Sequence, residues 1–243
     1  MGLIVKKFGG TSLGDVSRLK NVAVRIRDAH ESGQFLAIVV SARGNHTDTL
    51  IDEYKKTSPH VGPEFDVVVS AGEQISAGLL AQELQNLGVE ARSWLGWQIP
   101  ILTCGSYGAA QIEHIEAKKL QAEIKSGVIP IVTGFQGVDK TGRITTLGRG
   151  GSDFTAVALA VALGADKCDI YTDVPGVYAA DPKKQSGTKK LNVISYEEML
   201  AFVDQGAKVI ERRAVELAQK NSLKIEVLSS FENVSGTIIG DVL

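Results

Sequence analysis

The chain has 243 residues, 44% of them hydrophobic and 22% charged, the composition of an ordinary globular protein able to bury a sizeable core as one α/β domain or two packed lobes. A formal net charge of −2 with no long basic run argues against a nucleic-acid partner, because such binding rests on phosphate neutralisation. No apolar run reaches the roughly 18 residues of a membrane span, and Lys6 and Lys7 come too early for a signal peptide, so no membrane contact and a cytoplasmic location are expected.

Residues 3–8 read as a first strand, closed by Gly9 and Gly10. Residues 15–29 read as a helix whose Val16, Leu19, Val22, Val24 and Ile26 form a broad apolar face. A buried strand at 35–40 follows, then one long helix over about 64–87, stopped by Gly88. Residues 91–103 read as strand or hairpin, 111–125 as a helix and 128–132 as a core strand. A glycine-rich stretch at 134–151 opens onto a helix at 152–163. Then come a strand at 167–173, helices at 196–202 and 207–220, and a strand at 224–228. This β–α alternation with near-continuous apolar strands implies a largely parallel sheet covered on both faces. Cys104 and Cys168 have no metal-ligand spacing and are expected as reduced, buried thiols.

Four loops carry the unusual residues, and open parallel sheets place ligands at loops that follow strands. The first is KFGGTS at 7–12, where Gly9 and Gly10 let backbone approach an anion beside Lys7. It lacks the order of a Walker P-loop. The second is TTLGRGGSD at 145–153, entering an apolar helix. Gly150 and Gly151 before a helix N-terminus suit an anion, and Arg149 suits bidentate capture of a carboxylate or phosphate. Ser152 or Asp153 would also serve there as plain caps. The third, residues 171–183, crowds Thr172, Asp173, Tyr178, Asp181 and Lys183 together, which suits a ribose or a metal-associated triphosphate as much as a Pro-Gly turn. The fourth is Gly206-Ala207-Lys208, a lysine at the expected start of a helix, where the positive helix end disfavours it unless an anion is near.

In this order, these segments together with SARGNHTD at 41–48, SAGEQIS at 70–76 and GFQGV at 134–138 closely resemble the aspartate kinase family over essentially the whole chain. The resemblance implies an α/β fold: a three-layer αβα sandwich with a mainly parallel open sheet, the amino acid kinase (carbamate kinase-like) fold. An N-terminal lobe at about 1–133 would hold the amino acid and a C-terminal lobe at about 134–243 would hold ATP. It implies phosphorylation of the L-aspartate side-chain carboxylate by ATP and Mg²⁺, the first step toward lysine, threonine and methionine. A carboxylate nucleophile with a pKa near ~4 is already ionised, so no general base is needed, and the demand is for charge neutralisation and alignment.

By resemblance, Lys7 contacts the transferring phosphoryl group, Lys208 lies near the phosphates, and Asp153 orients both cations. Arg149 clamps the α-carboxylate, while Ser41, Thr47, Glu73 and Ser152 line the aspartate pocket. Gly9, Gly10, Gly150 and Gly151 offer backbone donors to phosphates; Thr172, Asp173, Tyr178, Asp181 and Lys183 fall on the nucleotide loop. Mg²⁺ is expected on phosphate oxygens and water, with no protein ligand assigned.

The sequence departs from the family pattern at Arg43, where methionine is usual, at Lys183, where arginine is usual, and at Glu211-Arg212, where His-Pro is frequent and which reads as surface variation. The residues end near where the family's kinase domain ends. ACT regulatory domains, and with them lysine and threonine feedback, are therefore expected to be absent, and a homodimer or a separate ACT-type regulatory subunit are the partner expectations. Two rival readings stay open: a superfamily kinase with another acceptor, against which segments 41–48 and 70–76 speak, and a catalytically silent nucleotide-binding protein, against which the presence of Lys7, Arg149, Asp153 and Lys208 speaks.

Overall fold

The computed structural model describes residues 2–179 and 187–241. At its centre lies an eight-stranded sheet. One half consists of β1 (Leu3–Phe8), β2 (Phe35–Val40), β3 (Ala91–Trp94) and β6 (Ile129–Thr133), the other of β9 (Lys167–Thr172), β10 (Val193–Ile194), β11 (Lys224–Ser229) and β12 (Thr237–Ile239). The order is β10-β12-β11-β9-β1-β2-β6-β3, and every ladder is parallel except β11–β12. Strand β2 buries five consecutive residues, the mark of a strand covered on both faces.

Helices α1 (Val16–Glu31) and α4 (Ala71–Asn86) pack on one face of the sheet. Helices α5 (Lys118–Lys125), α6 (Gly151–Leu163), α7 (Tyr196–Asp204) and α8 (Arg212–Lys220) pack on the other. Strand β1 serves both layers, because alternate side chains point to opposite faces: Val5 joins the α6 side and Phe8 the α1 side. Asp15 caps α1 by accepting the Arg18 N–H at 2.8 Å. The buried stripe of α1 is Leu19, Val22, Ala23 and Ile26; Val16 and Val24 are 61% and 37% exposed, so the apolar face is narrower than expected.

A second, four-stranded sheet has the order β5-β4-β7-β8, formed by β4 (Ile101–Cys104), β5 (Gln111–Ile115), β7 (Gln136–Val138) and β8 (Ile144–Thr146). It corrects two expectations. Residues 111–115 are a strand antiparallel to β4, not helix, and only Lys118–Lys125 is helical. Strands β3 and β4 lie in different sheets, so 91–103 is no hairpin. Nor is 64–87 one helix. It divides into α3 (Pro63–Val69) and α4 at Ser70, whose carbonyl accepts from the Gln136 amide at 2.9 Å. Helix α8 begins at Arg212 rather than Ala207, so Lys208 lies in the loop before it. Cys104 is exposed; Cys168 is buried, as expected, and burial pushes its thiol pKa up. No helix among the described residues is long and apolar enough to cross a membrane.

Candidate active site

The penultimate residue of β1 supplies the centre of the site. Lys7 points to the α6 side, is 9% exposed, and sets its Nζ 2.7 Å from Asp153 Oδ1. Asp153 occupies the first turn of α6, where the positive helix end favours a carboxylate. Its second oxygen accepts the Glu211 N–H at 3.3 Å. Gly9 lies two residues after Lys7; a Cβ there would stand 3.5 Å from Lys7 Nζ and occupy space beside the ammonium. A Cβ on Gly10 would come within 2.7 Å of the Ala42 carbonyl, so glycine lets the β1 turn meet the loop after β2. That contact is closed by Gly44 N–H donating to Gly10 O at 2.8 Å, and Ser41 N–H donates to Phe8 O at 3.1 Å.

Glu73, in the first turn of α4, is 2% exposed. Its Oε1 accepts the Ala42 N–H at 2.9 Å, while its buried Oε2 has no partner. Burial pushes its pKa up to about 8, against the opposing pull of the Ala42 amide and the Lys7 charge. A buried carboxyl with one free oxygen near a lysine suits a ligand cation.

The turn entering α6 is built on left-handed backbone, with Gly148 at φ 76° and Gly150 at φ 75°. Arg149 stands exposed between them and makes no ion pair among the described residues. A Cβ on Gly150 would overlap the Glu211 side chain. Glu211 caps α8 by accepting the Ala214 N–H at 3.1 Å and pairs with Arg213 at 2.8 Å. Arg213 in turn donates to Leu147 O at 2.8 Å and to Ala110 O at 3.4 Å, and lies 4.8 Å from the centre of the Phe154 ring. Glu211 is thus a partly buried brace on the Arg149 turn, which corrects its reading as surface variation.

Strand β9 brings the next loop beside β1, with Tyr171 in register with Phe8. Thr172 donates to Asp173 Oδ1 at 3.2 Å, and Asp173 is exposed. Tyr178 forms an isolated bridge with Lys190. Asp181 and Lys183 lie outside the described residues.

A sequence profile of the amino acid kinase family matches residues 2–229. The chain belongs to the amino acid kinase family. It is 50% identical over 240 residues to an aspartokinase of Bacillus sp. (strain MGA3), an alignment covering 98% of this chain and 58% of that protein. Among solved structures, the aspartate kinase from Synechocystis superposes with a TM-score of 0.87 at 40% identity, covering 99% of this chain and 40% of that one. The E. coli aspartokinase III solved with aspartate and ADP superposes with a TM-score of 0.89 at 26% identity, covering 99% of this chain and 65% of that one. The chain therefore spans between 40% and 65% of the length of these three proteins.

In this member of the amino acid kinase family the residues singled out from sequence are brought together only in part. Lys7, Gly9, Gly10, Asp153 and Glu73 come together through direct contacts or mutual charge. Ser41 borders that group just after β2, its N–H bonded to Phe8 O, and Thr47 lies in the first turn of α2 (His46–Thr57). Ser152, largely buried, packs where a Cβ on Gly134 would stand, 2.8 Å from both its Cβ and Oγ. Arg149 and Lys208 are exposed and without ion pairs among the described residues. Sequence reading missed Arg213, and also Asp66. Fully buried, Asp66 accepts from Gly108 N–H at 2.9 Å and from the Thr146 N–H and hydroxyl, both at 2.7 Å. Its ionised form is resisted by burial and supported by those three donors, and it ties the loop before β5 to β8. An aspartate within an apolar helix, flanked by Phe65 and Val67, was the available signal for a buried partner.

Proposed function

We propose that this chain is the catalytic part of an aspartate kinase, transferring the terminal phosphoryl group of Mg-ATP to the side-chain carboxylate of L-aspartate. The observation that carries this reading is the Lys7–Asp153 pair at the glycine-led N-terminus of α6, with buried Glu73 beside it. The high likeness to aspartokinases over the whole of this chain selects aspartate among the family's acceptors.

The acceptor carboxylate arrives ionised, so the residues need only neutralise charge and align two anions. Lys7 neutralises charge on the transferring group; Asp153 holds the ammonium in place. Amides at Gly9–Gly10 and at the entrance to α6 donate to phosphate oxygens. The free oxygen of Glu73 receives the α-ammonium, and Arg149 pairs with the α-carboxylate across solvent-facing space. Ser41, Thr47 and Ser152 bound the amino-acid side, while Thr172, Asp173, Tyr178, Asp181, Lys183 and Lys208 bound the nucleotide. Mg²⁺ bound to phosphate oxygens and water adds further charge neutralisation. The acceptor lobe is residues 1–133 and the nucleotide lobe 134–243. A homodimer or an ACT-type regulatory subunit remains the proposed partner, and the location proposed is cytoplasmic.

Trapping the acyl phosphate with hydroxylamine tests this directly. Hydroxamate should form with L-aspartate and Mg-ATP and not with L-glutamate or acetylglutamate, and uridylate or carbamate should not raise ADP release. Equal product with another acceptor, or ADP release indifferent to aspartate, would overturn the assignment.

A further inference from the structure

We infer that a polar cavity on the α1 side of the sheet is a binding site for a phosphate dianion, as inorganic phosphate or a phosphate monoester. The cavity measures about 270 Å³ and is lined by Ser12, Arg18, Asn21, Arg25, Ser230 and Phe231. Arg18, Asn21 and Arg25 stand at i, i+3 and i+7 on one flank of α1, and Ser230 and Phe231 face them from the turn after β11. All five polar side chains can donate, and none of the six lining residues is a carboxylate. The Ser12 and Ser230 hydroxyls lie 2.5 Å apart, so one proton bridges them and the second remains to point at a ligand.

The balance of charge favours an anion. Arg18 is held ready by the Thr11 carbonyl at 2.9 Å, by the face of Phe231 at 5.1 Å, and by Asp15 at 3.3 Å, a mostly exposed and therefore weakly compensating partner. Arg25 is half-buried and lies 5.3 Å from the centre of the Tyr171 ring. It meets no carboxylate among the described residues. The acids on the adjoining strands are already taken: Lys167 holds Asp169 at 2.9 Å and Glu226 at 2.6 Å, and Asp169 also faces Lys6 at 3.8 Å. Arg25 is therefore an unmatched guanidinium, and two guanidiniums in one pocket suit the geometry and charge of a phosphate dianion.

The cavity is lined by none of Lys7, Asp153 and Glu73, the residues at the centre of the candidate active site, yet it backs onto both loops assigned to the nucleotide. Ser12 N–H donates to Gly9 O at 3.0 Å, and Ser230 N–H donates to Thr172 O at 2.8 Å. An occupant would brace both loops. Its effect on turnover rests on the kinase reading; its existence does not.

The test is isothermal titration of the full chain in phosphate-free buffer, with the nucleotide site saturated by a non-hydrolysable ATP analogue. Inorganic phosphate and glycerol phosphate are titrated separately. We expect one saturable site, weakened about tenfold or more by Arg25→Gln, restored in part by Arg25→Lys, and abolished by Asn21→Asp, an exposed substitution that places negative charge in the lining. Tighter binding of the ester identifies a phosphorylated metabolite, tighter binding of the inorganic ion identifies free phosphate, and either supports the site. Absence of saturation below about 10 mM, displacement by the nucleotide analogue, or unchanged binding in both charge-altering variants overturns it. Arg25→Gln should keep basal aspartate-dependent turnover within about twofold, since it touches no proposed catalytic group. Phosphate binding without turnover in the unaltered chain would sink the kinase reading and leave the site standing.

Discussion

Lys7 is positioned before any substrate arrives, because Asp153 fixes its ammonium 2.7 Å away at the positive end of α6. A group that meets charge developing in the transition state governs turnover more than binding. Lys7→Ala should lower kcat by about 100-fold or more while the ATP dissociation constant moves only a few-fold. Losses of equal size in both would remove Lys7 from the reacting centre. Glu73 makes a different demand. Its pKa of about 8 keeps it largely protonated at pH 7 in the free chain, and a ligand ammonium at its free oxygen would favour the carboxylate and expel the proton. Aspartate binding at pH 7 should therefore release close to one proton, read as a difference in binding enthalpy between HEPES and Tris buffers. Glu73→Gln should abolish the difference, and identical enthalpies in the unaltered chain would refute the coupling. The same displacement has a stability sign. The folded pKa lies above the ordinary 4.5, so stability from the neutral carboxyl is full below that value and is lost as pH rises through about 8. Lys7 was legible in sequence because two glycines follow it. The buried state of Glu73 was not, because it depends on Ala42 and Lys7 arriving from other elements.

At the scale of elements, the entrance to α6 depends on α8. Two left-handed glycines give the Arg149 turn its shape, and the Glu211–Arg213 pair presses on it from outside, with Arg213 holding the Leu147 carbonyl. Arg149 itself makes no ion pair among the described residues, so the order of its backbone is what places its guanidinium. Arg213→Ala should raise the KM for aspartate about tenfold while kcat and the KM for ATP stay within about twofold, since Asp153 remains anchored in the helix. A parallel fall in every kinetic constant would mark Arg213 as merely structural. This brace escaped sequence reading because α8 was expected to start at Ala207, which put Glu211 inside a helix instead of at its cap. Strand β5 was misread for a related reason. Its residues QIEHI carry charges typical of an exposed helix, and only pairing with β4 makes them a strand. Helix α2 buries no residue, so it offered no apolar stripe to recognise.

For the molecule as a whole, the alternation of apolar strands and helices was legible because both-sided burial writes itself as continuous hydrophobic runs, as in β2 and β6. The four-stranded second sheet was not, since its strands are short and its two local pairs, β4–β5 and β7–β8, are joined only by the β4–β7 pairing, which is distant in sequence. What unites the layers is β1. It is hydrogen-bonded between β2 and β9, gives Val5 to one hydrophobic core and Phe8 to the other, and carries as its penultimate residue the lysine at the candidate site. Both side chains are fully buried, and Phe8 stacks on Tyr171 at 4.6 Å. Neither core can come apart without withdrawing a strand the other needs, so thermal unfolding should be a single cooperative event. Phe8→Ala should cost about 3–5 kcal/mol and Val5→Ala about 2 kcal/mol, each shifting the whole transition, the former by roughly 10 °C. Calorimetry should return matching calorimetric and van't Hoff enthalpies for the unaltered chain and for both variants. Two resolved transitions, or a variant that moves only part of the endotherm, would show that the halves of the sheet fold independently and that β1 belongs to one of them alone.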